Sequence, residues 1–348
     1  MLEQCRNHEM TFIEPRRFAA KFVVFALVAT LGCPVFAGPE TTSPRSDERA
    51  LGEPFPYPAG DAVADERENS AAAIFYRAVT LYRNGMARQA LAAYDEIVRR
   101  FGDSPYPETR TWVIRALFNK GGTLAIQGRR AEAAAVYDEA ERRFANDETL
   151  AIRQMLFGAL LNKSTTLVND PQARIAILDR LDRRFSRDSS AGIRAWVVDA
   201  LNDKGMILNQ LGRFGEAVAV FDDIDHRFGE DETPVIREQT VRAFVNKGIV
   251  LGTQGRHAEA AAVTDDIERR FGHETSPAIR EALAKALVNK GVALARQGRH
   301  GEAIAVYDDV ERRFARADTP AFREQVARAR NYKRGMETEN KNRLPPKN

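Results

Sequence analysis

Two consecutive stretches of this sequence decide its fold: residues 235–277, VIREQTVRAFVNKGIVLGTQGRHAEAAAVTDDIERRFGHETSP, and residues 278–320, AIREALAKALVNKGVALARQGRHGEAIAVYDDVERRFARADTP. Aligned end to end, they are identical at 24 of 43 positions. Self-similarity at a fixed period of this length is typical of solenoids, in which each unit packs on its neighbours. The sequence therefore predicts a helical repeat array before any single residue is considered.

The same repeat continues towards the N-terminus. An Arg-Arg-Phe triplet, once varied to His-Arg-Phe, recurs at intervals of 43, 41, 43, 43 and 43 residues, and an Asn-Lys-Gly motif recurs in step with it. These triplets define six units. They end at Phe101, Phe144, Phe185, Phe228, Phe271 and Phe314.

Each unit has the pattern of two helices. In one unit, Thr233 is a good N-cap and Pro234 suits the first helical position, where its missing N–H costs nothing. Apolar residues at helical spacing then predict a first helix to about Leu251, and Gly255 ends it. A second helix is predicted to end near Phe271. Ser276 and Thr319 repeat the same cap.

Over residues 70–335 this pattern resembles the tetratricopeptide repeat, which packs a small residue of the first helix against an alanine of the second. The resemblance implies an all-α, right-handed α-solenoid of antiparallel helix pairs, with six repeats and a C-terminal capping helix. It also implies binding of a protein or peptide ligand. The implied packing residues are Gly121, Ala133 and Tyr137; Gly205, Ala217 and Phe221; Gly248 and Ala260; and Gly291, Ala303 and Tyr307.

Two features depart from that family. The unit is about nine residues longer than the roughly 34 of an ordinary tetratricopeptide repeat, which we assign to a longer first helix. The third unit is irregular, because Ser164 and Arg174 replace the small packing residues and two residues are missing around Asp170. We expect a kink or a weaker interface there.

The first 37 residues have the pattern of a secretory signal. Basic residues precede a ten-residue apolar core at 22–31, and small residues end at Ala37, where signal peptidase would cut. The apolar core falls well short of the roughly 20 residues that span a bilayer, which argues against a membrane anchor. The alternative is a lipoprotein acylated at Cys33. We expect an exported protein, periplasmic or secreted.

The remaining boundaries follow from composition. Residues 38–69 are rich in proline and charge and predict a disordered linker. Six repeats occupy 70–319, a capping helix occupies 320–339, and a disordered tail occupies 340–348. The charged residues of the capping helix, among them Arg328 and Lys333, are expected to solvate the end of the array.

Composition argues against several functional classes. The 348-residue chain has 52 basic and 49 acidic residues, a net charge of +3, whereas a nucleic-acid-binding protein concentrates a basic excess on one face. Both cysteines lie in the leader, so the exported chain would have no disulfide or thiolate metal site. No histidine has a partner at metal-ligand or catalytic-triad spacing. We therefore predict no cofactor, no metal and no enzymatic activity.

Two charged columns recur with the repeat. We hypothesise that each lysine of the first helix meets an aspartate of an adjacent second helix, its stem packed and its ammonium paired. The rival interpretation is that the lysines reach solvent. The columns are Lys120, Lys163, Lys204, Lys247 and Lys290, and Asp95, Asp138, Asp179, Asp222, Asp265 and Asp308.

A polar column is the predicted ligand site. An asparagine amide offers both a donor and an acceptor, so it matches the backbone of an extended peptide without reading its side chains. In the family that this sequence resembles, the equivalent position faces the concave groove. The alternative is that these amides bond to the neighbouring repeat. The candidates are Asn119, Asn162, Asp203, Asn246 and Asn289, with Arg115, Arg242 and Lys285 for a carboxylate.

These features predict a non-catalytic scaffold in the cell envelope that holds a protein or peptide partner and does not bind nucleic acid. Two alternatives stay open. One is a structural protein whose repeats pack on further copies as a homo-oligomer. The other is a coordinator of cell-envelope assembly or division, because the first unit resembles periplasmic repeat proteins with that role.

Overall fold

The computed structural model describes residues 70–316 and 319–343, and this part of the chain forms thirteen α-helices and no strand. The predicted all-α class is confirmed. The helices are α1 (Ala71–Arg83), α2 (Ala87–Phe101), α3 (Pro107–Ile126), α4 (Arg130–Phe144), α5 (Leu150–Thr166), α6 (Pro171–Phe185), α7 (Ala191–Gln210), α8 (Phe214–Phe228), α9 (Pro234–Thr253), α10 (His257–Phe271), α11 (Pro277–Arg296), α12 (His300–Phe314) and α13 (Pro320–Arg343).

The predicted boundaries can be compared only in this part of the chain. The predicted signal peptide (1–37) and linker (38–69) lie outside the described residues. The capping helix α13 runs to Arg343, four residues beyond its predicted end at 339. None of the described helices is both long enough and apolar enough to cross a membrane.

The chain divides into two compact units between Leu167 and Val168. The N-terminal unit contains α1–α5 and the C-terminal unit contains α6–α13. The division falls inside the third repeat, whose sequence is the irregular one. The kink expected there stays a prediction.

The boundaries of α9 and α10 show how the sequence places the helices. Thr233 is the N-cap residue of α9, but its side chain accepts no capping hydrogen bond, contrary to expectation. Instead, the Asp231 carboxylate accepts the Thr233 N–H at 2.8 Å. Gly255, with φ +78°, turns the chain into α10, a backbone conformation that a side chain would strain. The helix α9 ends two residues past the predicted Leu251.

Close packing in each repeat depends on glycine facing an aromatic ring. A Cβ at Gly291 would overlap the ring of Tyr307, and the same holds for Gly121 with Tyr137 and for Gly205 with Phe221. The sequence predicted that each of these glycines packs against the alanine of the second helix. The structure corrects this prediction, because the glycine faces the aromatic residue four positions after that alanine. The alanines are nevertheless buried. They are Ala133, Ala217, Ala260 and Ala303.

The repeat at Gly248 is different, because Thr264 replaces the aromatic residue. The nearest atom to a Cβ built at Gly248 is the Ala260 carbonyl oxygen, at 3.7 Å. Here the predicted glycine–alanine contact is present, and it leaves room for a methyl group on residue 248.

Candidate functional site

The first helices form the inner side of the C-terminal unit. Neighbouring first helices, α7 with α9, α9 with α11 and α11 with α13, lie side by side. Among the described residues of this unit, neighbouring second helices do not pack directly on one another. Long side chains bridge them instead. A stack whose first helices are closer together than its second helices curves towards the first helices. The first-helix layer is therefore the concave face.

A basic column runs along this face at one register. Arg242, Lys285 and Arg328 follow one another at the 43-residue period, on α9, α11 and α13. Arg242 Nη1 lies 3.2 Å from Oδ1 of Asp199, which holds the same register on α7, and donates to Gln239 at 2.5 Å. Arg328 donates to Gln325 in the same way, at 3.1 Å. At this register the charge thus changes from acidic on α7 to basic on α9, α11 and α13.

Arg328 was not among the predicted site residues. Sequence reasoning assigned the charges of α13 to solvation of the end of the array. The signal that would have found it is its 43-residue offset from Lys285.

The polar column lies one helical turn after the basic one, and its members differ in their contacts. Asn246 Nδ2 donates to the Asn202 side chain on α7 at 2.8 Å, so this amide bonds to the neighbouring repeat. Asn289 Nδ2 is enclosed and has no hydrogen-bond partner among the described residues. Asp203 is half-buried at the same register on α7.

In the N-terminal unit the predicted asparagines are mostly buried. The Asn119 side chain lies near enough to the Tyr94 hydroxyl to lower its pKa, but burial has the larger effect and raises that pKa to about 12. Even so, Asn119 Nδ2 makes no hydrogen bond within the described residues. Asn162 lies near the Tyr137 hydroxyl, whose pKa burial also raises. These two amides face tyrosine rather than an open groove.

The predicted Arg115 lies against an aromatic residue. Its guanidinium stacks 4.9 Å from the ring centroid of Trp112. Its Nε is buried and has no hydrogen-bond partner within the described residues.

The lysine–aspartate hypothesis is confirmed. Each predicted lysine contacts the aspartate 25 residues earlier, on the preceding second helix; Lys247 Nζ lies 2.6 Å from Asp222 Oδ1. A sixth pair, Lys333 with Asp308, was missed because Lys333 had been assigned to solvation. The other pairs are Lys120–Asp95, Lys163–Asp138, Lys204–Asp179 and Lys290–Asp265.

Arginines of the repeated triplets tie the outer layer together. Arg270 lies 2.9 Å from Asp225 on the preceding second helix and 4.7 Å from the centroid of Phe244. Arg227–Asp182 and Arg313–Glu268 repeat this bridge at 2.6 and 2.8 Å. Sequence reasoning used the triplet only to find the period and missed this role. The sequence pattern that could have shown it is an aspartate or glutamate 45 residues before the arginine that precedes the phenylalanine of each triplet.

Repeated ion pairs link the second helices of the C-terminal unit, and the basic column lies on its first helices, with Arg242 close to Asp199. Within residues 70–316 and 319–343 no group of three or more side chains could hold a metal ion. The described part of the chain offers a peptide-sized face with cationic and amide donors.

Comparison with known proteins identifies the repeat. Residues 77–148 and 245–318 match the family model described as Tetratricopeptide repeat, so these two segments are tetratricopeptide repeats. No curated protein matches the sequence.

Several solved structures are similar to the chain. YrrB, described as a TPR protein with an unusual peptide-binding site, is 18% identical, with a TM-score of 0.35; the match covers 71% of this chain and 96% of YrrB. A tetratricopeptide repeat protein from Parabacteroides merdae is 13% identical over 75% of this chain and 99% of its own, with a TM-score of 0.34. An engineered protein is 12% identical over 70% of this chain and 96% of its own, with a TM-score of 0.42.

Proposed function

We propose that this protein is a non-catalytic scaffold and that the concave face of its C-terminal unit binds an extended acidic segment of a partner protein. The basic column Arg242–Lys285–Arg328 carries the proposal. It supplies one cation per repeat, and carboxylates attract cations most strongly at partly desolvated sites. Tetratricopeptide repeat proteins in general bind proteins or peptides, which supports this class of function.

Other groups on the same face suit such a ligand. Tyr332 of α13, at the register of the polar column, offers a ring that is 38% exposed. Gln239 and Gln325 hold the two arginines by hydrogen bonds, which lowers the entropy lost when a ligand binds. Asp199 at the α7 end would repel a carboxylate and so limit the acidic segment to α9–α13.

The test is binding of a fluorescently labelled, glutamate-rich peptide, followed by anisotropy. Each of Arg242→Gln, Lys285→Gln and Arg328→Gln should weaken binding by roughly fivefold, the equivalent of about 1 kcal/mol. The matched control is Arg269→Gln with Arg312→Gln, because these arginine side chains of the outer layer are 74% and 77% exposed. Equal losses in the control pair, or no binding by the unaltered protein, would reject the acidic-ligand proposal.

The partner itself can be identified by photo-crosslinking in cells. A photoreactive residue at Asn289 should give one dominant adduct that disappears in the Arg242→Gln, Lys285→Gln, Arg328→Gln triple variant. Adducts only with a second copy of this chain would replace the scaffold proposal with self-assembly.

Export to the cell envelope is the second part of the proposal, supported by the basic and apolar pattern of residues 1–37. The mass of the purified protein distinguishes the alternatives. A chain beginning at Gly38 supports cleavage after Ala37, a lipid-modified Cys33 supports the lipoprotein, and an intact leader contradicts export by either route.

A further inference from the structure

The N-terminal unit exposes a pair of aromatic rings on its first helices. Tyr76 of α1 is 55% exposed, and its ring centroid lies 5.5 Å from that of the half-buried Trp112 of α3, at an interplanar angle of 64°. The buried Phe75 supports Trp112 from behind, at 5.3 Å. Arg115 covers part of the Trp112 ring. Together Tyr76, Trp112 and Arg115 form what we call the aromatic ledge.

The pair of rings is not repeated at the equivalent positions further along the chain, where Trp196 holds the register of Trp112 and Tyr332 holds that of Tyr76, each without the other. Tyr76 precedes Asn119 by one 43-residue period, so it occupies the register that carries amides or a carboxylate in the next five repeats. Single exposed apolar residues are common on protein surfaces and need no explanation. An exposed ring in edge contact with a half-buried one, backed by a buried third, forms a surface of the kind that binds extended, proline-rich chains.

This chain carries such a segment shortly before α1 in the sequence. Residues 54–58 read PFPYP, and only eleven residues separate them from Ser70, the N-cap of α1. Tyr76 lies six residues after Ser70, or about 9 Å along the helix. Twelve steps from Pro58 to Ser70 can span up to ~40 Å, so the connection is long enough for the segment to reach the ledge.

We propose that residues 54–58 of this same chain dock on the aromatic ledge. Proline restricts the backbone φ angle and so lowers the entropy lost on docking, and Phe55 and Tyr57 would supply rings for edge or stacked contacts with Tyr76 and Trp112. The short connection gives the segment an effective concentration on the order of millimolar, which compensates for a weak contact. The docked segment would occupy the first repeat, leaving the basic column of the C-terminal unit free.

The experiment uses the fluorescence of Trp112 in protein purified after expression of the full 348-residue chain. Trp196 is the only other tryptophan, and Trp196→Phe makes Trp112 the sole reporter. In this background, replacing residues 54–58 by serines should raise the acrylamide quenching constant of Trp112 by roughly twofold, because the tethered segment no longer shields the ring. A synthetic peptide of residues 52–60 should restore the protection. The matched control replaces Pro39 and Pro44, which lie outside the segment, and should leave quenching unchanged.

Three results would overturn the proposal. The first is no change on serine replacement, and the second is an equal change in the Pro39 and Pro44 control. The third is protection that disappears on dilution, which would assign the docked segment to a second copy of the chain. Far-UV circular dichroism of every variant verifies that the helices are intact. The outcome is independent of acidic-peptide binding, which involves the other unit.

Discussion

At the scale of single residues, the repeat uses glycine where an aromatic ring approaches a helix. Gly291 faces the ring of Tyr307, whereas a Cβ at Gly248 would make only ordinary contacts, the nearest at 3.7 Å to the Ala260 carbonyl oxygen. We expect Gly291→Ala to lower the free energy of unfolding by about 1–3 kcal/mol, because the added methyl displaces the buried ring. Gly248→Ala should raise it by up to about 1 kcal/mol, because alanine favours a helix interior. Urea unfolding followed by circular dichroism measures both, and similar effects at the two positions would contradict this account.

The paired lysines give a second prediction at this scale. Lys247 is 22% exposed and Asp222 is 55% exposed, so the pair is partly screened by water. Lys247→Met keeps the packed stem and removes the charge, and it should cost at most about 1 kcal/mol at low salt. High salt should abolish the difference, because ions screen partly exposed charges.

A double-mutant cycle with Asp222→Asn isolates this interaction. The Asp222→Asn change should have little further effect in the Lys247→Met background. A Lys247→Met variant as stable as the original protein at every salt concentration would show that the pairing adds nothing.

At the scale of helices, the sequence predicts most of what packs within a repeat. The lysine–aspartate contacts follow because one offset of 25 residues, set by helix length and turn, recurs in every unit. The Asn246–Asn202 hydrogen bond is the alternative that the sequence left open, and the sequence could not decide it, since it depends on the spacing between neighbouring first helices. The same spacing leaves Asn289 Nδ2 unpaired at the equivalent register. Periodicity therefore fixes which residues are equivalent, but not which of them find partners.

The capping helix gives a prediction at this scale. Phe322 of α13 is buried and stacks on Phe314 of α12, with ring centroids 5.4 Å apart and an interplanar angle of 13°. Phe322→Ala should lower the free energy of unfolding by about 3 kcal/mol, because it opens a cavity in the last layer of the core. The exposed Glu324, two residues further along the same helix, provides the control, and Glu324→Ala should change stability by less than about 0.5 kcal/mol. A negligible loss in Phe322→Ala would mean that α13 does not complete the core.

At the scale of the whole molecule, buried tyrosines recur in both units at one position of the repeat. Tyr94, Tyr137 and Tyr307 are each at most 2% exposed. Burial raises the pKa of all three, that of Tyr94 to about 12. The hydroxyls of Tyr137 and Tyr307 have no hydrogen-bond partner among the described residues, and phenylalanine already stands at this position as Phe221. The repeat therefore uses the ring, and the hydroxyl adds a sensitivity to alkaline pH.

The sign of that sensitivity follows from the pKa shifts. An unfolded tyrosine ionises near pH 10, whereas the folded protein keeps Tyr94 neutral to about pH 12. As the pH rises through this window the unfolded state loses its protons first, so the free energy of unfolding falls, while below about pH 10 it is unaffected. Tyr137→Phe with Tyr307→Phe should keep or raise the stability near neutral pH, because a buried hydroxyl without a hydrogen-bond partner carries a desolvation cost that no bond offsets. In urea unfolding experiments, the same variant should lose less free energy of unfolding at alkaline pH than the original protein. An equal loss in both proteins would place the responsible groups elsewhere in the molecule.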